Sequence, residues 1–509
     1  MTGFHILPPG LSSVLPIVLA AVGLAWLTFR RISYGIASRR FAAENGCQPV
    51  QVRYPQNHLL LGLDFVVDNV RAMRDKRFLE LLVQRHTSAG PTFSAQAIAR
   101  RGIFTVDPAN IKTILSVRFK DYSLGERQSI LGPLLGRGIF VTDGEEWSHS
   151  RALLRPSFVK DQVADLGLVN SHIDDLLHRI HTGETVDLQP LFMDFTLDSA
   201  TEFLFGHSTN TLGGGTPEDW AFSRAFHTAL KEMALQFRFG PLRRLRPIKR
   251  EAVDAIQVCR SYLDQFVDDA MAFRSNADHK SRLTQSDSRN IFLRDLATSD
   301  ASNEKIRDEL LNILIAGRDT VASLLGSLFH QLARRPEIWN KIRAEVAELE
   351  GKKPSYEELR NLKYTKYCIN EALRLWPPLP SNARVAACDT VLPHGGGPTG
   401  EDPIHVPKGT VVIYTVYVMH RRKDLFGEDA DSFRPERWEN RKFSWEYLPF
   451  NGGPRICLGQ QYALTEALMV VTRFAQEFSS IQSRDPMPWT ENLTLTVCPS
   501  GGAKVALFR

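Results

Sequence analysis

Apolar residues recur three or four positions apart through much of the chain, a spacing that predicts helices rather than strands. Between 249 and 274 such positions fall near one helical face: Val253, Ile256, Cys259, Tyr262 and Phe266. The helices predicted in this way are Lys76–His86, Pro190–Phe205, Glu218–Phe237, Lys249–Arg274 and Asn303–Ala333. Runs typical of strands are fewer, namely Phe104–Val106, Val411–Tyr417, Leu493–Val497 and Lys504–Phe508. The pattern predicts a mainly α fold with a small β portion.

Glycine, proline and capping residues mark where several helices begin and end. Gly206 ends one helix, and Ser355 with Glu358 forms the capping-box pattern that opens another. The helix that follows must end before Pro377, because proline disfavours helical backbone in the residue that precedes it. The polar and charged stretch 275–290 is predicted to be a mobile loop.

The N-terminal apolar run is long enough to cross a membrane. Val14–Phe29 is almost wholly apolar, and Leu11 extends it toward the roughly 20 residues that a bilayer requires. A cleaved signal peptide would carry positive charge before this run, yet residues 1–13 contain no lysine or arginine. Arginines follow the run instead, at positions 30, 31, 39 and 40. We therefore predict an uncleaved anchor at 11–29, with residues 1–10 luminal and the remaining chain cytosolic.

Behind the anchor, residues 30–60 form a basic juxtamembrane segment in which Pro49 and Pro55 predict a hinge. Residues 61–509 form the globular domain. The whole chain of 509 residues carries a net charge of +5, which does not indicate nucleic-acid binding but suits an acidic partner or an anionic membrane. Six cysteines lie far apart in the chain, a distribution that indicates neither a disulfide framework nor a zinc site.

A glycine-rich loop near the C-terminus holds a single cysteine. Its pattern is Phe-x-x-Gly-x-Arg-x-Cys-x-Gly, formed by Phe450, Gly453, Arg455, Cys457 and Gly459. A helix-forming run begins directly behind the cysteine, and a helix N-terminus lowers the pKa of a thiol. The glycines let a large flat ligand approach the backbone. The alternative is a buried structural cysteine beside a glycine-rich turn.

The long predicted helix contains a second candidate site. Glycine inside a helix destabilises the helix by about 1 kcal/mol relative to alanine, so Gly317 indicates a role in packing or in function. With Ala316 it leaves room for a small ligand, and Thr320 can hydrogen-bond the carbonyl of Ala316 and open the helix locally. Asp319 and Thr320 then form an acid–alcohol pair that can relay protons. The alternative is tight helix packing at Gly317, with Asp319 in a surface ion pair.

Two charged elements can meet in a third cluster. Glu371 and Arg374 are three positions apart, so they share one face of a helix and can pair. Such pairs are also common on protein surfaces. Further along the chain, a Pro-Glu-Arg element ends in Arg437.

The cysteine loop resembles the haem-binding loop of the cytochrome P450 family. The resemblance implies the cytochrome P450 fold with one N-terminal transmembrane helix, and a haem-thiolate catalytic domain at 61–509. It makes Cys457 the ligand of the iron in heme b, and an axial thiolate favours O–O cleavage. Other haem contacts follow from the same resemblance: Trp147, Arg151, Arg384, Phe450, Gly453, Arg455 and Gly459.

The resemblance also assigns the remaining candidates. Asp319 and Thr320 become the proton relay, although Val321 stands where the family usually has Thr or Ser. Glu371, Arg374 and Arg437 become a structural cluster that holds the loop before Cys457. Segments near the substrate entrance are Leu124–Ile139 and the helices around Trp220–Phe239. Neither segment is distinctive enough to identify a substrate.

Finer runs resemble the fungal branch of the family that hydroxylates n-alkanes and fatty acids. These runs are 121–125, 312–320, 390–397 and 450–467. The resemblance implies a membrane-bound monooxygenase that uses O2 and NADPH electrons to hydroxylate a fatty acid, alkane or similar aliphatic chain. Because the chain shows no flavin or dinucleotide motif, the resemblance implies that electrons come from a separate NADPH-cytochrome P450 reductase. Cytochrome b5 is a second candidate donor.

Three alternatives stay open at this point. Relatives of the same branch serve as tailoring oxidases in fungal secondary-metabolite pathways that make polyketides or terpenoids. A haem-thiolate isomerase or dehydratase would need neither reductase nor oxygen, and such enzymes commonly alter the acid–alcohol pair, which this chain retains. A non-catalytic haem sensor or partner-binding protein is the third. The family resemblance places the protein in the endoplasmic reticulum membrane, as a single-pass protein with a cytosolic catalytic domain.

Overall fold

The computed structural model describes residues 11–57, 61–98, 100–158, 166–275 and 292–509. Helices account for 58% of the structure and strands for 12%, which confirms the mainly α fold with a small β portion. In chain order the α-helices are α1 (Leu11–Glu44), α2 (Leu63–Arg74), α3 (Phe78–Ala89), α4 (Pro108–Lys112), α5 (Arg127–Leu135), α6 (Gly144–Leu154), α7 (Gly167–His178), α8 (Leu188–Phe205), α9 (Pro217–Phe239) and α10 (Arg250–Ser275). They continue with α11 (Phe292–Ala297), α12 (Asn303–Leu332), α13 (Pro336–Ala347), α14 (Tyr356–Asn361), α15 (Lys363–Leu375), α16 (Val416–Met419), α17 (Lys423–Phe426) and α18 (Gln460–Glu477).

The predicted helices are present, and local capping explains their ends. Helix α8 begins two residues earlier than predicted because the Asp187 side chain accepts a hydrogen bond from the Gln189 N–H at 3.1 Å. It ends at Gly206, which adopts a left-handed φ of 70°. Ser355 and Glu358 form the predicted capping box of α14. In α10 the predicted face is partly wrong, since Val253 is 50% exposed.

Two predicted strands needed correction. The run Val411–Tyr417 forms a strand only as far as Tyr414, and residues from 416 onward turn into α16. The run Leu493–Val497 is the turn between two strands, closed by a hydrogen bond from the Thr494 N–H to the Thr496 carbonyl at 2.8 Å. Apolar periodicity over five residues does not separate a short strand from an apolar turn.

The strands of the described residues form small sheets. A five-stranded sheet has the order β1-β2-β8-β5-β3. A three-stranded sheet has the order β4-β12-β9, and β6–β7 and β10–β11 are two-stranded. Strand bounds are β1 (Thr92–Ala97), β2 (Arg100–Thr105), β3 (Tyr122–Ser123), β4 (Thr185–Asp187), β5 (Asn382–Ala386), β6 (Thr390–Gly396), β7 (Asp402–Val406), β8 (Val411–Tyr414), β9 (Ser480–Ser483), β10 (Glu491–Leu493), β11 (Val497–Pro499) and β12 (Lys504–Phe508).

Helix α1 is long and apolar enough from Ile17 onward to cross a membrane. Its C-terminal part contacts the globular domain, where the Tyr34 hydroxyl donates to Asp389 Oδ1 at 2.5 Å. The Phe41 ring lies 5.7 Å from that of His405. The hinge in 30–60 stays a prediction. The predicted luminal segment 1–10 lies outside the described residues, and so does 276–290 of the predicted loop.

Helices α12 and α18 are buried along most of their length, and α18 carries a buried carboxyl group. Glu466 Oε1 accepts a hydrogen bond from Ser199 Oγ on α8 at 2.7 Å. Burial raises the pKa of Glu466 to about 7, although Ser199 and the nearby His172 lower it. The folded protein therefore binds this proton more tightly than the unfolded chain does.

This linkage predicts a pH-dependent stability. The contribution of Glu466 is most favourable below about pH 4.5 and is lost as the pH rises to about 7, an effect of roughly 2–3 kcal/mol. We expect Glu466→Gln to remove this component, so that the variant is more stable than the wild type at pH 8. Urea unfolding of both proteins at pH 5 and pH 8 measures the difference. The control is Glu477→Gln. Glu477 lies on the same helix as Glu466 and forms a half-exposed ion pair with Arg509, so its loss should leave the pH dependence unchanged.

Candidate functional site around Cys457

The cysteine loop is held in a fixed shape by its own backbone. The Cys457 N–H donates to the Phe450 carbonyl at 3.0 Å, which closes the loop directly before α18. Gly453 has a φ of +67°, and a Cβ there would lie 1.8 Å from the carbonyl oxygen of Leu115. A side chain at this position is therefore excluded both by conformation and by space. At Gly459, the residue before α18, an added Cβ would lie 3.5 Å from the Phe158 ring, which is an ordinary van der Waals contact.

The thiol of Cys457 lines an internal space. Its side chain is solvent-accessible, yet burial is the largest influence on its pKa. A group with both properties faces a cavity inside the protein rather than the outer surface. The Gly459 N–H and the charge of Arg151 lower the pKa of the thiol, but burial outweighs them and the pKa is raised. The predicted lowering by the helix N-terminus is thus wrong in its net sign.

Four guanidinium groups gather on one side of this space, from Arg127, Arg151, Arg384 and Arg455. Burial and the charges of the other three arginines together lower the pKa of Arg455 to about 10, although Asp143 raises it. Among the described residues, the carboxylate that pairs with Arg455 is Asp143, at 2.8 Å. One carboxylate beside four guanidiniums leaves a surplus of positive charge. The group is suited to an anionic ligand with more than one carboxylate.

Helix α6 supplies an aromatic platform for this cluster. Trp147 is buried, and the guanidinium of Arg455 lies 4.4 Å from the centre of its ring. In the part of the chain that the structure describes, no acceptor binds the Trp147 indole N–H. Arg151, one helical turn later, donates to the Ile456 carbonyl at 3.0 Å and so braces the cysteine loop.

Strand β5 positions the other two arginines, because it carries Arg384 and its Asn382 side chain binds Arg127 at the start of α5. Asn382 Oδ1 accepts hydrogen bonds from Arg127 at 2.7 Å and from Arg384 at 3.2 Å. Burial lowers the pKa of Arg127 to about 10, with Arg384 adding to the effect. The sequence missed Arg127, because a lone arginine at the first position of α5 has no motif around it.

The middle of α12 has the geometry that its sequence predicts. Thr320 Oγ1 donates to the Ala316 carbonyl at 2.6 Å. A Cβ on Gly317 would lie 3.4 Å from the Cβ of Ala200 on α8, so the glycine also serves close helix packing. Asp319 is ion-paired with Arg318 at 3.0 Å, and both side chains are buried, unlike the surface pair of the alternative interpretation.

The structure brings Glu371, Arg374 and Arg437 together, and the side chain of Glu371 is fully buried. Arg374 binds both oxygens of Glu371, at 2.7 and 2.9 Å, and Arg437 Nε lies 3.4 Å from Oε1. Trp438 also donates its indole N–H to Glu371 at 3.0 Å. Arg437 reaches Asp429 Oδ1 at 3.0 Å. The cluster therefore joins α15 to the segment 429–438, and its predicted role in holding the loop before Cys457 stays a prediction.

Sequence reasoning also missed His420, which connects this cluster to the loop. Its Nδ1 lies 3.1 Å from the Arg374 carbonyl, and its Nε2 accepts the Leu448 N–H at 2.9 Å. Burial lowers the pKa of His420 to about 3, so the ring is neutral and donates from Nδ1. A neutral imidazole joins the two segments without adding a charge to the buried cluster.

These residues fit haem. An accessible thiol inside the protein suits an iron ligand, and a metal ion deprotonates such a thiol despite its raised pKa. The surplus guanidiniums and the free indole N–H suit the two propionates. Half-buried Ala316 and Gly317 in the middle of the central helix leave accessible space beside that helix.

Comparisons with known proteins agree with this arrangement. A model of the family described as cytochrome P450 matches residues 53–507. The chain is 56% identical over 499 residues to cytochrome P450 monooxygenase himC of Aspergillus japonicus, across 96% of this chain and 90% of that protein. It is 52% identical over 501 residues to cytochrome P450 monooxygenase fsdH of Fusarium heterosporum, across 96% and 88%. It is 44% identical over 404 residues to cytochrome P450 52A3-A of Candida maltosa, across 75% and 76%.

Proposed function

The chain belongs to the cytochrome P450 family, and on that premise we propose that it is a membrane-bound haem-thiolate monooxygenase that hydroxylates C–H bonds of a hydrophobic substrate. When bound, the haem supplies the iron at which O2 is activated with electrons from NADPH. The observation that supports this proposal most directly is the accessible Cys457 thiol inside the protein, beside four guanidiniums with one paired carboxylate. The residues of the chain then hold the cofactor, shape the cavity and move protons.

Each group has one task in this mechanism. Cys457 holds the iron. Trp147 and the four arginines hold the propionates and fix the orientation of the haem. Thr320 binds the Ala316 carbonyl in the middle of α12, and with Asp319 it guides protons into the cavity. For Asp319 to take part, its contact with Arg318 must loosen during the reaction cycle.

The relay predicts a specific defect in Thr320→Ala. Removing the hydroxyl removes a proton donor but leaves haem binding intact, so we expect NADPH consumption to continue while product per NADPH falls about tenfold. Parallel measurement of NADPH, product and hydrogen peroxide in the reductase-reconstituted enzyme tests this. Thr320→Ser keeps the hydroxyl and should retain most of the coupling. Tightly coupled turnover in Thr320→Ala would contradict the relay.

The order of the identities favours one substrate class. The chain is closer to himC and fsdH, at 56% and 52%, than to 52A3-A, at 44%. We take the first two as representatives of tailoring oxidases in fungal secondary metabolism and the third as a representative of the alkane- and fatty-acid-hydroxylating branch. The proposed substrate is therefore a hydrophobic polyketide or terpenoid intermediate. The resemblance of four sequence runs keeps an aliphatic chain as the second candidate.

A substrate screen separates the two classes. Binding of polyketides, terpenoids, fatty acids and alkanes is followed by the spectral change of the haem, and turnover is measured with and without reductase and O2. Turnover that needs neither would point instead to an isomerase or dehydratase. We place the enzyme in the endoplasmic reticulum membrane, anchored by α1 with its catalytic domain in the cytosol. Fractionation of cells that express the full chain tests this location.

A further inference from the structure

We propose that Glu126 determines which ligands reach the cavity, because its carboxylate ties together three segments, two of which lead to groups of the candidate site. Glu126 Oε2 accepts a hydrogen bond from Arg243 Nη1 at 2.8 Å. Its Oε1 accepts one from Arg100 Nη1 at 3.2 Å. Arg243 Nη2 also donates to Ser129 Oγ at 2.7 Å. We call these contacts the Glu126 bridge, and the inference rests on the haem site proposed above.

The three segments lie far apart in the chain. Arg100 begins β2, Glu126 is the residue before α5, and Arg243 lies in the short helix Gly240–Leu245 that follows α9. The next residue, Arg127, belongs to the interior guanidinium cluster, so the chain passes from outside to inside between two neighbouring positions.

Helix α9 reaches the middle of α12. The Phe226 ring of α9 lies 5.7 Å from the guanidinium of Arg318, next to the acid–alcohol pair of α12. Because the Glu126 bridge joins the extension of α9 to the start of α5, it links the helix that reaches the acid–alcohol pair with the segment that enters the guanidinium cluster. The far end of α5 has a separate attachment, from Arg260 Nη2 to the Pro133 carbonyl at 2.9 Å. Arg127 at the near end stays bound to Asn382, so loss of the bridge loosens the turn before α5 and the segment after α9 rather than the helix itself.

The bridge has the exposure expected of a contact that opens and closes. The side chains of Arg243, Glu126 and Arg100 are 12%, 39% and 57% exposed. Ion pairs of this kind are weak and are screened by salt, in contrast to the fully buried Glu371 cluster. The segment beside the bridge presents apolar side chains to solvent, with Leu245 83% exposed. A bulky apolar ligand that meets this surface can enter when the bridge opens, whereas a small ligand needs no such opening.

Stopped-flow binding of two azoles to the full-length holoprotein tests this difference. Clotrimazole is bulky and imidazole is small, and both are followed by the absorbance of the haem. We expect Glu126→Gln to bind clotrimazole about two- to fivefold faster than the wild type, with an unchanged rate for imidazole. Raising the salt concentration should speed clotrimazole binding in the wild type but not in the variant. The control is Glu146→Gln, which breaks an exposed pair with Arg137 between α5 and α6 and should alter neither rate.

A second measurement does not depend on haem. Hydrogen–deuterium exchange of 240–246 and 124–129 should rise in Glu126→Gln and stay unchanged in Glu146→Gln. Equal clotrimazole rates in wild type and Glu126→Gln, or unchanged exchange in both segments, would overturn the inference. Equal acceleration of imidazole and clotrimazole would also overturn it, since that result indicates general loosening rather than selection by size. A protein without the thiolate spectrum would count against the haem site alone, because the exchange experiment still decides whether the bridge restrains the two segments.

Discussion

Cys457→Ser is expected to abolish the thiolate-type Soret band in the carbon monoxide difference spectrum of the reduced protein. The thiol is the group that the loop presents to the interior, and a serine hydroxyl in its place does not ionise at neutral pH to an equivalent ligand. Loss of groups that merely support a metal ligand costs 10- to 100-fold in affinity or activity, so loss of the ligand itself should reduce turnover by at least about 100-fold. Spectra and reductase-dependent turnover of the variant in microsomes provide the measurement.

The matched control is another accessible cysteine. Cys388 is also exposed but lies outside the loop, so Cys388→Ser should keep the full band and normal turnover. A thiolate band that persists in Cys457→Ser would show that a different cysteine holds the iron. A histidine-type band in the wild type would contradict the ligation itself, and the oxygenase proposal would then rest on family membership alone.

The parts of the fold that were predictable are those with long-range periodicity in the sequence. Helix α12 was predicted at Asn303–Ala333 and is found at Asn303–Leu332, because thirty residues of regular pattern leave little ambiguity. The short pieces near the C-terminus were less predictable. Only the pairing of β10 with β11 shows that the apolar run between them is a turn.

The candidate site divides in the same way between local and tertiary information. The contact of Thr320 with the Ala316 carbonyl follows from residues four apart on one helix, and the sequence was sufficient to predict it. Arg127 reaches the other arginines only because α5 packs beside β5, more than 250 residues away in the chain. The pKa of Cys457 divides in the same way. The effect of the helix N-terminus is local and can be predicted from the sequence, whereas the burial that outweighs it depends on the tertiary structure.

The largest expected loss of stability comes from the Glu371 cluster. In Glu371→Gln, the side chains of Arg374 and Arg437 stay buried while the carboxylate that compensates them is lost. Removal of one partner from a buried ion pair costs about 3–5 kcal/mol, because the remaining charges keep their desolvation penalty. The variant should therefore unfold and release haem at a lower denaturant concentration than the wild type. Urea titrations followed by the thiolate band measure both events together.

The same titration tells a buried network from an ordinary ion pair. Glu350→Gln removes a pair with Lys352 in which both side chains are more than 70% exposed, and such pairs contribute at most about 1 kcal/mol. We expect this control to match the wild type closely. If Glu371→Gln were equally tolerated, the carboxylate would not be what holds Arg374 and Arg437 in place. Their hydrogen bonds to the backbone carbonyls of His420, Phe426 and Asp429 would then have to position the segment before Cys457 without it.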